Sequence, residues 1–377
     1  MNPRVYFYCI EQTDVYQDDV LVLAEGLRQI GAEIHGNCQY WLRSPASDDW
    51  LIRPDPRVSP ADCDIVVVSS AWTRWLDTEF RTYVRALPEG LFAPGRRYRT
   101  AYVDVDDGYA TSSWGPEFAT FDAVFRAKYN RRCFHPANQQ PWVLGLNQRM
   151  LDMTAGAPPW SERRQEVLVN FGASHPYAHS ARNKAGPPFV AAARQYFTIN
   201  DRRDDLKTAP TDPYDLLMWR QTQHRHCRAY YERLKSARAV AAFCGELIPP
   251  APFQPTYLAG GRRAQINRTY YDLLAYFDPR PSRLIQWDSW RFWEALAAGC
   301  LVFNLDLPYY GVHLPVMPEN FTHYVAVRPD NVTEVLARLT REPGLAERIA
   351  AQGRTWALEH YSPTALARRF LRTMLPP

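Results

Sequence analysis

Short runs of strand-forming residues alternate with segments of helical periodicity along most of the chain. The first such runs are "RVYFYCI" (4–10), "DIVVVSS" (64–70) and "RTAYVDV" (99–105), and the segment "DDVLVLAEGLRQIG" (18–31) has apolar residues at helical spacing. Because a strand, a helix and a second strand in series normally form a parallel pair with a crossover helix, this alternation predicts parallel sheets covered by helices. The predicted fold class is therefore α/β.

The alternation is interrupted at "TAGAPPWSERRQ" (154–165), where proline, glycine and charged residues are concentrated. Such a segment is typical of a domain boundary, and a chain of 377 residues is long enough for two cores. A second alternating series begins with "EVLVNFG" and includes "SRLIQW" and "CLVFN". We therefore predict two Rossmann-like domains that face a central cleft, residues 1–160 and 161–354, and a C-terminal helix within 355–377 that crosses back to the first domain.

Composition argues against several classes of protein. The net charge of +4 is small for the length and there are no long Lys/Arg blocks, so we expect no nucleic-acid partner, whereas a small anionic ligand is compatible. The seven cysteines are scattered and form no Cys-x-x-Cys pair, which argues against a disulfide framework and a zinc site. No stretch is apolar for long enough to span a membrane and no signal-peptide pattern is present, so we expect a cytoplasmic protein, with which peripheral membrane contact is compatible.

The segment that most restricts the function is "QWDSWRFWEALAAGCLVFNLD" (286–306). Ser289 can cap a helix whose first turn offers free N–H groups to an anion, and Arg291 adds a forked, permanently charged donor for phosphate oxygens. Glu294 can accept hydrogen bonds from neighbouring ribose hydroxyls, and Gly299 allows the helix to end before the next strand. The pattern predicts a pyrophosphate and ribose site. The alternative interpretation is an amphipathic helix with a capping serine and an Arg291/Glu294 surface pair.

The same segment resembles the donor-nucleotide motif of GT-B glycosyltransferases, whose C-terminal donor domains include exostosin-like and group 1-like forms. The resemblance is most specific to the exostosin-like and spore-maturation-like branches, in which Ser-x-Arg-x-x-Glu-Ala-Leu-x-x-Gly-Cys recurs. Residues 289–300 fit that pattern position by position. The resemblance implies the GT-B architecture and a glycosyltransferase that moves a sugar from a UDP-, GDP- or dTDP-linked donor to a hydroxyl of a glycan, lipid or protein acceptor. Because a helix N-terminus and Arg291 would neutralise the diphosphate, we expect no bound metal and no further cofactor.

One position departs from this family pattern. Many retaining GT-B enzymes have a glutamate eight positions before the ribose-binding glutamate, and this chain has Gln286 there. Gln286 can still hydrogen-bond to sugar hydroxyls, but it cannot place a negative charge beside an oxocarbenium-like centre. Retention of the anomeric configuration is therefore left open, and an inverting reaction with a dedicated base is the alternative that Gln286 suggests.

An acidic stretch, "DVDDGY" (104–109), follows an apolar run of the first domain. An Asp-x-Asp pair after a strand can hold a divalent ion on a diphosphate in a different glycosyltransferase fold, but the diphosphate site expected in the second domain makes such an ion redundant. Strand alternation places Asp104 and Asp106 on one side, and Asp107 begins the turn. Asp106 and Asp107 are therefore the candidates for a general base toward the acceptor hydroxyl, with a turn of solvated carboxylates as the alternative.

Three further residues are weaker candidates. Arg182, in "GASHPYAHSARNK" (172–184), follows the first strand of the second domain and could contact phosphate. Glu11 and Asp14 follow the first strand of the chain and are the next candidates for the base.

Two other functions share the expected architecture. A sugar-nucleotide epimerase would work without an acceptor, and a non-catalytic protein would only bind nucleotide-sugars or glycans.

Overall fold

The structure is a computed structural model. It describes residues 2–10, 20–76, 82–84, 86–105, 116–133, 135–172, 180–203, 208–248 and 282–376. All four candidate bases, Asp106, Asp107, Glu11 and Asp14, lie outside the described residues.

The N-terminal part of the chain builds a parallel sheet of six strands. Its strands and those of two small hairpins are β1 (Arg4–Tyr8), β2 (Glu33–Gly36), β3 (Tyr40–Leu42), β4 (Trp50–Ile52), β5 (Ile65–Ser69), β6 (Arg74–Leu76), β7 (Thr82–Val84), β8 (Arg99–Asp104), β9 (Ala123–Arg126) and β10 (Gln139–Pro141). The spatial order is β10-β9-β8-β5-β1-β2, and all neighbouring pairs are parallel. The central β5, with the sequence "IVVVS", is buried along its whole length, as expected for a parallel sheet that is covered on both faces.

The second part of the chain builds a parallel sheet of five strands. The strands that follow β10 are β11 (Arg164–Leu168), β12 (Thr198–Asn200), β13 (Ala237–Ala241), β14 (Glu246–Ile248), β15 (Arg283–Ile285), β16 (Leu301–Leu305) and β17 (Val325–Val327). The order in the sheet is β12-β11-β13-β16-β17. The run "SRLIQW" does not join this parallel series, because β15 pairs with β14 in a separate antiparallel sheet.

The helices pack on these sheets. They are α1 (Leu21–Gln29), α2 (Ser70–Thr73), α3 (Gln148–Thr154), α4 (Ser180–Ala193), α5 (Pro213–Gln221), α6 (Arg228–Ser236), α7 (Trp290–Ala297), α8 (Val332–Arg341), α9 (Leu345–Tyr361) and α10 (Pro363–Met374). The helix α9 contacts α7 and β16 of the second part, whereas α10 contacts α1 of the first part. Gly26 permits this last contact, because a Cβ atom there would lie 1.9 Å from the carbonyl oxygen of Pro363. Within the described ranges, none of the helices has the length and apolar character that spanning a membrane requires.

The segments that follow the carboxyl ends of β9 and β16 contact each other. Asn130, beyond the end of β9, donates from Nδ2 to the carbonyl oxygens of Leu284 and Tyr310, each at 2.9 Å. The backbone N–H of His313, beyond the end of β16, donates to the carbonyl oxygen of Tyr129 at 3.1 Å. Since open α/β sheets bind ligands at the carboxyl ends of their strands, the cleft between the two sheets is the expected place for a site. The predicted fold class, two Rossmann-like domains facing a central cleft, is confirmed. The limits at residues 160 and 354 remain our proposal.

Candidate functional site

The acidic stretch after β8 begins with a buried ion pair. Asp104 is fully buried at the end of the strand, and its Oδ1 atom accepts a hydrogen bond from Arg126 Nη1 at 2.6 Å. Arg126 ends the neighbouring β9, directly opposite Asp104. The Asp104 carboxylate is therefore engaged in an ion pair inside the sheet. Among the described residues, no three His, Cys, Asp or Glu side chains are grouped as metal ligands would be.

In the second sheet, Ser289 precedes α7, the helix predicted from the motif. Its backbone is extended, with φ −144° and ψ 146°, as an N-cap residue requires, but its side chain makes no capping hydrogen bond. The predicted position of Ser289 at the start of the helix is thus correct, whereas the predicted capping hydrogen bond is not formed. The Oγ atom is buried and has no hydrogen-bond partner in the described part of the chain. Because an unpaired buried hydroxyl is unfavourable, Ser289 Oγ is a position where a ligand could supply the missing bond.

Two arginines lie close together beyond the carboxyl ends of β11 and β13. Arg291, in the first turn of α7, donates from Nε to Asn170 Oδ1 at 3.2 Å. Arg182, in the first turn of α4, donates to the carbonyl oxygens of Phe243 at 3.0 Å and Gly172 at 2.8 Å. Burial lowers the pKa of Arg182, and the nearby positive charge of Arg291 acts in the same direction. Across the described ranges neither arginine forms an ion pair with a carboxylate. The two positive charges therefore indicate a binding site for an anion.

Glu294 lies one helical turn after Arg291 and is buried. Its Oε1 atom accepts a hydrogen bond from the Tyr231 hydroxyl at 2.5 Å, and its other oxygen has no hydrogen-bond partner within the described residues. The hydroxyl of Tyr230 is also buried without a partner in that part of the chain. Burial raises the pKa of Tyr230 well above its usual value, and the negative Glu294 adds to this effect, so the hydroxyl stays protonated. A carboxylate acceptor, an unpaired hydroxyl and Arg291 thus lie in one neighbourhood.

Gln286 and Gly299 occupy different parts of this region. Gln286 follows β15 and has a left-handed backbone, φ 52°, which is rare for a residue other than glycine and often marks a functional site. Gly299 has φ 69° and lies at the opposite end of α7 from Ser289, where its carbonyl oxygen accepts a hydrogen bond from Arg163 Nη1 at 2.8 Å. Gly299 therefore ends the helix, as its position predicts, but the length of α7 separates it from a nucleotide at the helix start.

Asp288 also belongs to this region, although the sequence motif did not indicate it. Its Oδ2 atom accepts a hydrogen bond from the backbone N–H of Leu144 at 2.6 Å, and its Oδ1 atom accepts one from Trp293 Nε1 at 2.6 Å. Burial raises the pKa of Asp288 to about 6. Leu144 belongs to the segment that leaves the first sheet after β10, so Asp288 joins that segment to the loop before α7. No local pattern marks such an aspartate, because its backbone partner is 144 positions away.

Comparison with known proteins identifies the architecture. No protein-family model matches the chain, and no curated protein matches it in sequence. Solved structures do share the fold. An alpha-glucosyltransferase in complex with UDP-glucose and DNA containing an abasic site is similar over 99% of this chain and 100% of that chain, with a TM-score of 0.53 and 8% identity. A glycosyltransferase from Rickettsia africae ESF-5 is similar over 100% and 99%, with a TM-score of 0.51 and 11% identity. The chain therefore has the GT-B fold, and at this level of identity the similarity concerns the fold alone.

Proposed function

We propose that the chain is a glycosyltransferase that transfers a sugar from a nucleotide-sugar to a hydroxyl group of a glycan, lipid or protein acceptor. The observation that carries this proposal is the pair of Arg182 and Arg291, which has no carboxylate partner in the described ranges. Two neighbouring guanidinium groups repel each other, and an anion that contacts both relieves the repulsion. A nucleoside diphosphate is such an anion, and the carboxyl edge of a parallel sheet is where the GT-B fold would bind it.

The surroundings of the arginine pair suit the rest of a nucleotide. The buried hydroxyls of Ser289 and Tyr230 can bond to phosphate or sugar oxygens, and the second oxygen of Glu294 can accept a bond from a ribose hydroxyl. UDP is the first nucleotide to test, since the alpha-glucosyltransferase of the same fold was solved with UDP-glucose. GDP- and dTDP-linked sugars remain within the proposal. The assignment to exostosin-like and group 1-like donor domains rests on the motif at residues 289–300.

The proposal divides the reaction between the two domains. Residues 161–354 bind the donor, and residues 1–160 bind the acceptor and supply the base from Asp106 or Asp107. The fold also suits an epimerase, which differs in needing no acceptor.

Thermal unfolding with UDP-, GDP- and dTDP-linked sugars tests the donor site, because a ligand at one hundred times its Kd stabilises the folded protein by about 2.7 kcal/mol. Transfer to an acceptor pool supports the proposal, isomerisation of the donor alone indicates an epimerase, and binding of no nucleotide overturns it.

Arg291→Gln is expected to weaken nucleotide affinity by about 10- to 150-fold, which corresponds to about 1.5 to 3 kcal/mol for a lost charge-assisted hydrogen bond. Isothermal titration with the nucleotide measures the change. The control is Arg372→Gln, which removes an exposed arginine on α10 and should leave affinity unchanged. Equal affinity for wild type and Arg291→Gln, with both folded, would remove Arg291 from the site.

Activity is expected to survive treatment with EDTA, because two arginines rather than a divalent ion neutralise the diphosphate in this proposal. The measurement compares initial rates of sugar transfer before and after removal of divalent ions. Complete loss of activity, with recovery on addition of manganese, would contradict the metal-independent reaction.

A further inference from the structure

Buried hydrogen bonds lead to Glu294 from the helix that connects the two sheets. Arg149 lies in α3, between β10 and β11, and its Nη1 atom donates to the Tyr231 hydroxyl oxygen at 2.7 Å. The Tyr231 hydroxyl donates in turn to Glu294 Oε1 at 2.5 Å. Arg149 and Tyr231 are 2% and 1% exposed, so water hardly competes for these bonds. Arg149 therefore holds the Tyr231 hydroxyl, and this hydroxyl holds one oxygen of Glu294.

The same nitrogen of Arg149 also contacts a histidine, and a carboxylate orients that histidine. Asp215 accepts hydrogen bonds from Arg228 at 2.8 and 2.9 Å and from His226 Nε2 at 2.9 Å. Since a carboxylate only accepts, His226 carries its proton on Nε2, and its Nδ1 atom accepts a hydrogen bond from Arg149 Nη1 at 3.2 Å. Burial lowers the pKa of His226 to about 4, so the ring is neutral at physiological pH and this direction of bonding persists.

Two aromatic rings also lie beside the Arg149 guanidinium. The group lies 4.8 Å from the centre of the Trp290 ring and 5.8 Å from the centre of the Tyr231 ring. Trp290 is the first residue of α7 and directly precedes Arg291. Arg149 of α3 is thus packed against α7, the helix that carries the candidate nucleotide contacts.

We propose that Tyr231 is a positioning residue of the donor site, whose hydroxyl, held by Arg149, fixes one oxygen of Glu294 and presents the other to the ribose of the nucleotide. The inference rests on the proposed function. Without the Tyr231 hydroxyl, the carboxylate can rotate about its last side-chain bond, and nucleotide binding has to order it again. The bond from Arg149 polarises the Tyr231 hydroxyl and strengthens its bond to Glu294, because hydrogen bonds in series reinforce one another in a buried environment.

The test is a double-mutant cycle between Tyr231→Phe and Glu294→Gln. Tyr231→Phe keeps the ring and is expected to weaken the affinity for UDP, GDP or dTDP by about tenfold, the loss of one buried hydrogen bond to a charged group. In the Glu294→Gln background the same change is expected to alter affinity by less than about twofold, because the interaction it removes is already lost. The rate at saturating donor and acceptor should change less than affinity. Tyr98→Phe is the matched control, since it removes a buried tyrosine hydroxyl, bonded to Leu91 O, in the first domain.

A tenfold loss in both backgrounds would show that Tyr231 acts independently of Glu294 and would overturn the inference. Unchanged affinity in Tyr231→Phe beside a weakened Glu294→Gln would overturn it while leaving the proposed function intact. Absence of nucleotide binding by the wild type would overturn both. If the melting temperature of Tyr231→Phe falls far below that of Tyr98→Phe, Arg149→Lys replaces it in the cycle. The same loss of effect in the Glu294→Gln background is then expected, and additive losses would overturn the inference.

Discussion

Replacing Asp106 or Asp107 with asparagine is expected to lower kcat by about 100- to 10,000-fold at one of the two positions, which is the usual contribution of a general base. Asp104 is committed to Arg126, so the base is sought in the two carboxylates that follow it. Val105, the last described residue before them, lies beyond the carboxyl end of β8, and its carbonyl oxygen accepts a hydrogen bond from Lys128 Nζ at 2.9 Å. Nucleotide affinity should change little, because the proposed donor site lies in the other domain. Steady-state kinetics with saturating donor and acceptor, together with nucleotide titration, measure both quantities.

Asp48→Asn, in the exposed loop between β3 and β4, is the control for loss of a carboxylate and should leave kcat unchanged. A metal clamp predicts a different pattern, with weakened donor binding in the aspartate variants. A turn of solvated carboxylates predicts no change in either quantity. Near wild-type kcat in both Asp106→Asn and Asp107→Asn would contradict our assignment and direct the search to Glu11 and Asp14.

Asp104→Asn is expected to destabilise the protein by about 3 to 5 kcal/mol, because it removes the negative charge that Arg126 faces in a buried ion pair. The two side chains are 0% and 2% exposed. The carboxylate also joins the ends of β8 and β9, so its loss affects the part of the sheet that precedes the candidate bases. Equilibrium unfolding in urea measures the effect as a decrease in the free energy of unfolding and in the urea concentration at the midpoint.

The control for this prediction is Glu342→Gln, which breaks the ion pair of Glu342 with Arg338 on α8. Both side chains of that pair are nearly half exposed. Surface ion pairs contribute about 0.2 to 1 kcal/mol, so the control should cost far less than Asp104→Asn. A loss of less than about 1 kcal/mol for Asp104→Asn would contradict the view that the pair is isolated from solvent.

The sequence predicted much of the secondary structure, because these elements depend on local periodicity. The run "DIVVVSS" contains β5, and "RTAYVDV" contains β8. The C-terminal helix predicted within 355–377 corresponds to the end of α9 and to α10, in which the buried residues Leu366 and Phe370 recur at i and i+4. The run "SRLIQW" forms a strand but pairs outside the parallel sheet, because strand periodicity does not specify the partner that a strand will pair with.

The candidate site was predicted in part. The motif located α7, its start at Ser289 and its end at Gly299, because caps and helical turns are local features. It did not reveal that Ser289 makes no capping bond, nor that Arg182 and Arg291 both bond to the segment that follows β11. The closeness of these two arginines depends on the parallel order of β11, β13 and β16, which brings the starts of α4 and α7 to the same edge of the sheet.

By itself the sequence determined the alternating α/β pattern, the helix that carries Arg291 and Glu294, and the acidic stretch after β8. Tertiary structure alone decided which of these polar groups are paired. Asp104 is neutralised by Arg126 from the adjacent strand, Glu294 is held by Tyr231 at a separation of 63 positions, and Tyr231 is held by Arg149 at 82 positions. Hydrogen bonds between buried side chains form wherever the packing of the backbone brings a donor to an acceptor, and distance along the chain does not limit them.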